Sequence, residues 1–189
     1  MAAQTPQPFF NHPLAQLGPR DEEGRLNVVI ESPQGSRNKF KFDEQRGFFM
    51  LDGVLPAGAA FPYDFGFVPG TLGEDGDALD VLLLMDEPAF CGCVVPSRLI
   101  GVIVAEQTER DGATMRNDRL LAVAEKSHTN RDVTSIEALN ETVIVEIEHF
   151  FASYNMVRGK EFKALQHSGP DIAEKLLREG EQRFKEQNA

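Results

Sequence analysis

The chain has little cysteine, and what it has is badly placed for cross-linking. Its two cysteines, Cys91 and Cys93, are separated by one residue. That spacing gives poor disulfide geometry, and no further cysteine is present to complete a zinc site. Both read as small residues in a turn between strands. Histidine is also sparse. His12, His128, His149 and His167 are scattered, with no HExxH pattern and no close pair, so zinc catalysis has no support. No apolar run approaches the ~20 residues of a membrane-spanning helix. The N-terminus lacks the basic-then-apolar build of a secretory signal, so a cytoplasmic location is expected. Positive charge is in short supply as well: 19 Lys and Arg stand against 30 Asp and Glu, a net charge of −11. That argues against a nucleic-acid partner, whose affinity rests on neutralising phosphates with Lys and Arg. Internal repeats are absent.

What remains is an ordinary globular composition. A length of 189 residues suits one domain with a sizeable core. Residues 1–20, rich in Pro, Gln and Ala, are expected to form a loose arm pinned by Phe9-Phe10, and residues 21–189 a single domain. Residues 26–31 read as a first strand, ended by Ser32-Pro33-Gln34-Gly35-Ser36. Residues 39–43 alternate with period two, lysines to one face and phenylalanines to the other. Gln45-Arg46-Gly47 turns the chain into a hairpin partner at 48–52. With three prolines and two glycines, residues 55–69 are expected to be irregular. Strands follow at 80–85, 94–105 and 120–124, with a polar loop at 108–117. Val143, Ile144, Ile147, Phe150, Phe151 and Tyr154 recur at helical spacing, with Asn140 available as N-cap. A last helix spans about 170–187, with Leu176, Leu177 and Phe184 as its apolar stripe. Many short strands followed by two helices predict an α+β, mainly β fold: a small barrel with two helices packed outside.

The chemistry concentrates in Glu74-Asp75-Gly76-Asp77-Ala78-Leu79-Asp80, which runs straight into the apolar segment Val81-Leu82-Leu83-Leu84-Met85. Asp75, Asp77 and Asp80 lie on a turn entering a buried strand. Carboxylates this close repel one another unless hard cations neutralise them, and their oxygens suit Mg²⁺ or Mn²⁺. An isolated DxDxxD would more simply be a solvated acidic turn. An EF-hand loop is excluded, since it needs flanking helices and a glycine where Asp80 stands. The upstream residues shift the balance. Phe61-Pro62-Tyr63-Asp64-Phe65-Gly66-Phe67-Val68-Pro69 leads through Gly70-Thr71-Leu72-Gly73 into the turn.

This combination resembles the soluble family I inorganic pyrophosphatases, whose signature is a DGDPLDVL-like segment preceded by YPxxYGFIPxTLxED. The resemblance covers roughly residues 26–165. It implies a five-stranded OB-like barrel with two helices and hydrolysis of pyrophosphate by a metal-activated water. The metal would be Mg²⁺ or Mn²⁺, held by Asp75, Asp77 and Asp80 with Glu31 assisting. Asp77 would also orient the attacking water, and Tyr154 would reach the product phosphate. Lys39 and Arg119 stand at phosphate-binding positions of the family. The substrate would be a small phosphate anion, which an acidic pocket admits as a metal complex. Bacterial members are commonly hexamers, so a homo-oligomer is implied too.

Departures from the family pattern keep two alternatives open: a non-catalytic pyrophosphate- or nucleotide-binding protein, and a hydrolase of another phosphoanhydride. Lys41 replaces a Glu, Gly53 an Arg, Phe65 a Tyr, Asn117 a metal-binding Asp and Asn155 a substrate Lys. A further metal-binding Asp falls near Gln107, where Glu106, Glu109 or Asp111 could substitute. Lys41, on the face of Lys39, is expected to supply the cation lost at Gly53 and to bind substrate.

Overall fold

The computed structural model describes residues 13–44 and 46–188. Phe9-Phe10, most of the expected arm, and Gln45 of the expected turn lie outside them. Five strands close a ring. β1 (Leu26–Ser32) pairs antiparallel with β4 (Asp64–Val68), and β4 with β5 (Leu79–Leu84). β5 runs parallel to β8 (Arg119–Ala124), which is antiparallel to β6 (Val94–Thr108), and β6 returns to β1. The expected five-stranded OB-like barrel is therefore the fold. β2 (Asn38–Asp43) and β3 (Phe48–Val54) form a separate hairpin. β7 (Thr114–Arg116) and β9 (Glu161–Ser168) pair with the part of β6 that runs beyond the ring. α1 (Glu141–Val157) and α2 (Pro170–Gln187) complete the chain.

Strand alternation builds two apolar layers. Val28 and Ile30 of β1, Val81 and Leu83 of β5, and Leu120 and Ala122 of β8 share one layer, which Ala173 and Leu177 of α2 join. Leu82 and Leu84, Leu121 and Val123 point the other way, under Ile144, Ile147 and Phe151 of α1. This is why β1, β4 and β8 are buried at every residue. Asn140 caps α1 by accepting from Thr142 N at 2.9 Å, a contact worth ~1 kcal/mol.

Several expectations need correction, and one strand was not expected. Residues 55–69 are not irregular throughout: β4 lies inside them, formed because β1 and β5 bond both of its edges. β9 escapes a reading of periodicity because it leans on β6 rather than on its own pattern, with Phe162 its one buried residue. The polar loop at 108–117 contains β7. Residues 13–20 are not loose: Leu14 and Leu17 pack against Val29, Phe42 and Phe67, and Arg20 meets Glu174 of α2 at 2.5 Å. On α2 the buried residues are Ala173, Leu177 and Gly180; of the expected stripe Leu177 is buried and Leu176 packs half-buried beside it.

Candidate active site

One mouth of the barrel opens into a cleft of about 810 Å³. Glu31, Lys39, Lys41, Asp75, Asp77, Asp80, Arg119 and Tyr154 all line it, although they come from β1, β2, the β4–β5 turn, β5, β8 and α1. The acidic turn is held from below. Thr71 Oγ1 donates to Val68 O at 2.6 Å and accepts from Leu79 N at 3.0 Å. Gly73 N donates to Asp77 O at 2.7 Å, and Asp77 N to Asp75 Oδ1 at 3.2 Å. It is also held from behind by α2. Leu72 N donates to Gly180 O at 3.0 Å, and Arg183 Nε to Leu72 O at 2.8 Å. A Cβ at position 180 would stand 2.7 Å from Leu79 Cδ1, so a side chain there would have to push the Leu79 side chain aside.

The carboxylates are tuned by burial and by cations. Burial pushes Glu31 up to about 7; a hydrogen bond from Phe42 N at 2.7 Å opposes this and the Asp80 charge adds to it. Burial likewise raises Asp80, against the pull of the Arg119 guanidinium at 2.7 Å. Asp75 is raised by burial and by the neighbouring Asp80 and Asp77 charges, against a backbone bond from Asp77. Lys41 Nζ bonds both oxygens of Asp77 at 2.8 Å, which holds its ammonium above the usual lysine range despite partial burial.

Arg119 is the most constrained cation. Only 4 % exposed, it stacks 4.8 Å from the Phe151 ring and 5.6 Å from Phe162, and bonds Asn117 and Asp80. Its Nε is the single buried side-chain polar atom without a hydrogen-bond partner among the described residues.

Several cleft residues were not legible as such. Asp52 is the extra residue where the β2–β3 register shifts between Lys39 and Phe40, and it sits 3.3 Å from Lys39 Nζ. Arg158 and Lys160 follow the end of α1. Of the three candidate substitutes for the missing carboxylate, Glu109 is the one that lines the cleft, bonded by Lys160 at 2.8 Å and Gln107 at 2.6 Å. Asn117 Nδ2 donates to Gln107 Oε1 at 3.3 Å. This wall is thus made of amides and already paired charges. Asn155, where the family has a lysine, turns its amide back onto Phe151 O at 2.9 Å. Phe65 stacks 5.6 Å from Phe61 and has no hydroxyl to offer. The two cysteines are free, and burial pushes Cys91 up to about 11, far from thiolate chemistry.

Asp75, Asp77, Asp80 and Glu31 form an all-oxygen donor set that fits a hard divalent cation. Among the described residues, no three carboxylate, imidazole or thiol groups already stand at chelating distance. Asp77 and Asp80 face Lys41 and Arg119 instead, so a cation entering here competes with two ion pairs.

A β-barrel mouth that sets clustered carboxylates against several Lys and Arg side chains fits one class well: hydrolases that use metal ions to offset phosphoryl charge. Comparison with known proteins agrees. Residues 28–185 match the profile of the inorganic pyrophosphatase family. The chain is 36% identical over 172 residues to the inorganic pyrophosphatase of Synechocystis, covering 91% of this chain and 99% of that one. The inorganic pyrophosphatase of Geobacillus stearothermophilus is 38% identical over 163 residues, covering 86% and 95% respectively. The crystal structure of inorganic pyrophosphatase from Thermus thermophilus superposes with a TM-score of 0.82 at 33% identity, covering 91% of this chain and 98% of that one. This chain belongs to the inorganic pyrophosphatase family. The match extends past residue 165, so α2 lies within the family fold and not outside it as expected.

Proposed function

We propose that the protein hydrolyses inorganic pyrophosphate to two phosphates with Mg²⁺, or Mn²⁺, as the metal. The observation that carries this reading is the convergence of the acidic turn and the cations Lys39, Lys41 and Arg119 on one cleft. Asp75, Asp77 and Asp80 would hold the metal, with Glu31 behind them. When bound, such a cation offsets phosphate charge and lowers the pKa of water to near neutrality. Asp77 accepts a hydrogen bond from the attacking water and orients it toward phosphorus. Lys39, Lys41 and Arg119 hold the phosphate oxygens, Arg119 through a planar fork rather than a point charge. The Tyr154 hydroxyl reaches the phosphate that forms. The same reading takes residues 21–189 as one domain of a cytoplasmic homo-oligomer, a hexamer by family resemblance. Among the described residues, no helix is long and apolar enough to cross a membrane.

The test is steady-state phosphate release from pyrophosphate, tripolyphosphate and nucleotides, each with Mg²⁺ and Mn²⁺, with Asp77→Asn as control. Pyrophosphate should be turned over far faster by the wild type than by Asp77→Asn. Equal background rates with both metals overturn the hydrolase reading in favour of a binding protein. Faster turnover of another phosphoanhydride overturns the choice of substrate.

A further inference from the structure

We propose that Arg158 is a substrate-binding residue, holding a phosphate oxygen of pyrophosphate with donors that the protein itself leaves unused. The proposal rests on the hydrolase reading above. Arg158 follows the last residue of α1, and the helix end fixes where its side chain departs. Asn155 O accepts from Arg158 N at 2.9 Å and from Lys160 N at 3.0 Å, while Gly159 takes a φ of 73° that other residues rarely adopt. A cation at this end of a helix also meets the negative pole of the helix dipole.

The guanidinium lies 5.2 Å from the Tyr154 ring centroid and donates to the Tyr154 hydroxyl. A guanidinium carries five N–H donors, and among the described residues this side chain makes that one hydrogen bond. Its nearest carboxylate is Asp52, at 3.7 Å, an attraction without a hydrogen bond. Asp52 is shared with Lys39 at 3.3 Å, so two cations stand against one anion. Elsewhere in the cleft, Lys41, Arg119 and Lys160 each have a carboxylate within 2.8 Å. This corner therefore carries the uncommitted positive charge. It is also open to the cleft, which Arg158 and Asp52 both line. A planar fork with free donors, facing open space in an anion-binding cleft, matches the tetrahedral oxygens of phosphate.

The experiment is calorimetric titration of the Mg²⁺-loaded protein with methylenebisphosphonate, a pyrophosphate analogue whose bridging carbon resists hydrolysis. Arg158→Ala should bind it about tenfold or more weakly, as loss of a charge-assisted hydrogen bond predicts. Arg158→Lys should recover part of that. Arg131→Ala, which removes an exposed charge outside the cleft lining, should match the wild type. In turnover, Arg158→Ala should raise KM while kcat stays within about threefold, the pattern of lost uniform binding. If circular dichroism shows that Arg158→Ala does not fold, Arg158→Gln, which keeps most of the side-chain length, takes its place. Analogue affinity within twofold of wild type in the folded variant overturns the proposal. A wild type that binds the analogue through Arg158 but never turns over pyrophosphate supports it and overturns the hydrolase reading. A wild type that neither binds the analogue nor turns over pyrophosphate overturns both.

Discussion

Glu31→Gln should stabilise the metal-free protein at alkaline pH and leave it nearly unchanged at acidic pH. Glu31 is 7 % exposed and has its pKa pushed from 4.5 to about 7, chiefly by burial. A group with a raised folded pKa contributes stability that is fully present below its unfolded value and is lost as pH rises through the folded one. The window is therefore 4.5 to about 7. Across it, at about 1.4 kcal/mol per pH unit, wild type loses about 3 kcal/mol. Glutamine never ionises and keeps an oxygen to accept from Phe42 N, so the variant does not incur that loss. The assay is urea unfolding followed by circular dichroism in EDTA, with the variant and wild type compared at each pH so that other titrations cancel. The advantage of Glu31→Gln should grow from under about 1 kcal/mol at pH 5 to about 3 kcal/mol at pH 8. In melting temperature that is on the order of 10 °C. Excess Mg²⁺ should narrow the gap, because a nearby dication favours the ionised carboxylate. A gap that is the same at pH 5 and pH 8 would refute the assignment of the raised pKa to burial.

Two further outcomes follow from the ion pairs in the cleft. Lys41→Ala should tighten Mg²⁺ binding in calorimetry, because Asp77 no longer spends both oxygens on an ammonium. The pair is about half exposed, so it is worth ~0.2–1 kcal/mol and the gain is limited to a fewfold; weaker binding would count against competition between Lys41 and the metal. Arg119→Met should destabilise the protein by roughly 1–3 kcal/mol in urea unfolding, since it leaves the partly buried Asp80 carboxylate without its cation. Adding Asp80→Asn should recover part of the loss, and a cost under about 1 kcal/mol for the single variant would refute the account.

How much was legible in the chain depended on how local each feature is. The acidic turn could be read because Asp75, Asp77 and Asp80 lie within six residues and lead into an apolar strand. Period-two alternation located β2, short apolar runs located β1 and β5, helical spacing located α1, and Asn140 its start. These patterns, with the stretch Phe61 to Gly73, were enough for fold class and reaction class. The three-dimensional arrangement decided what is made between distant segments. β4 and β9 exist through pairing with β1, β5 and β6 rather than through their own propensity. Asp52 joined the cleft through a register shift, and Arg158 and Lys160 through the way α1 ends at Gly159. Likewise, the pairing of Lys41 with Asp77, Arg119 with Asp80 and Lys160 with Glu109 joins residues 36, 39 and 51 positions apart. Local sequence sets backbone preference and the side-chain inventory of each segment. Which charges meet, and which carboxylates lose their water, is decided by burial and proximity, which arise only when the barrel closes.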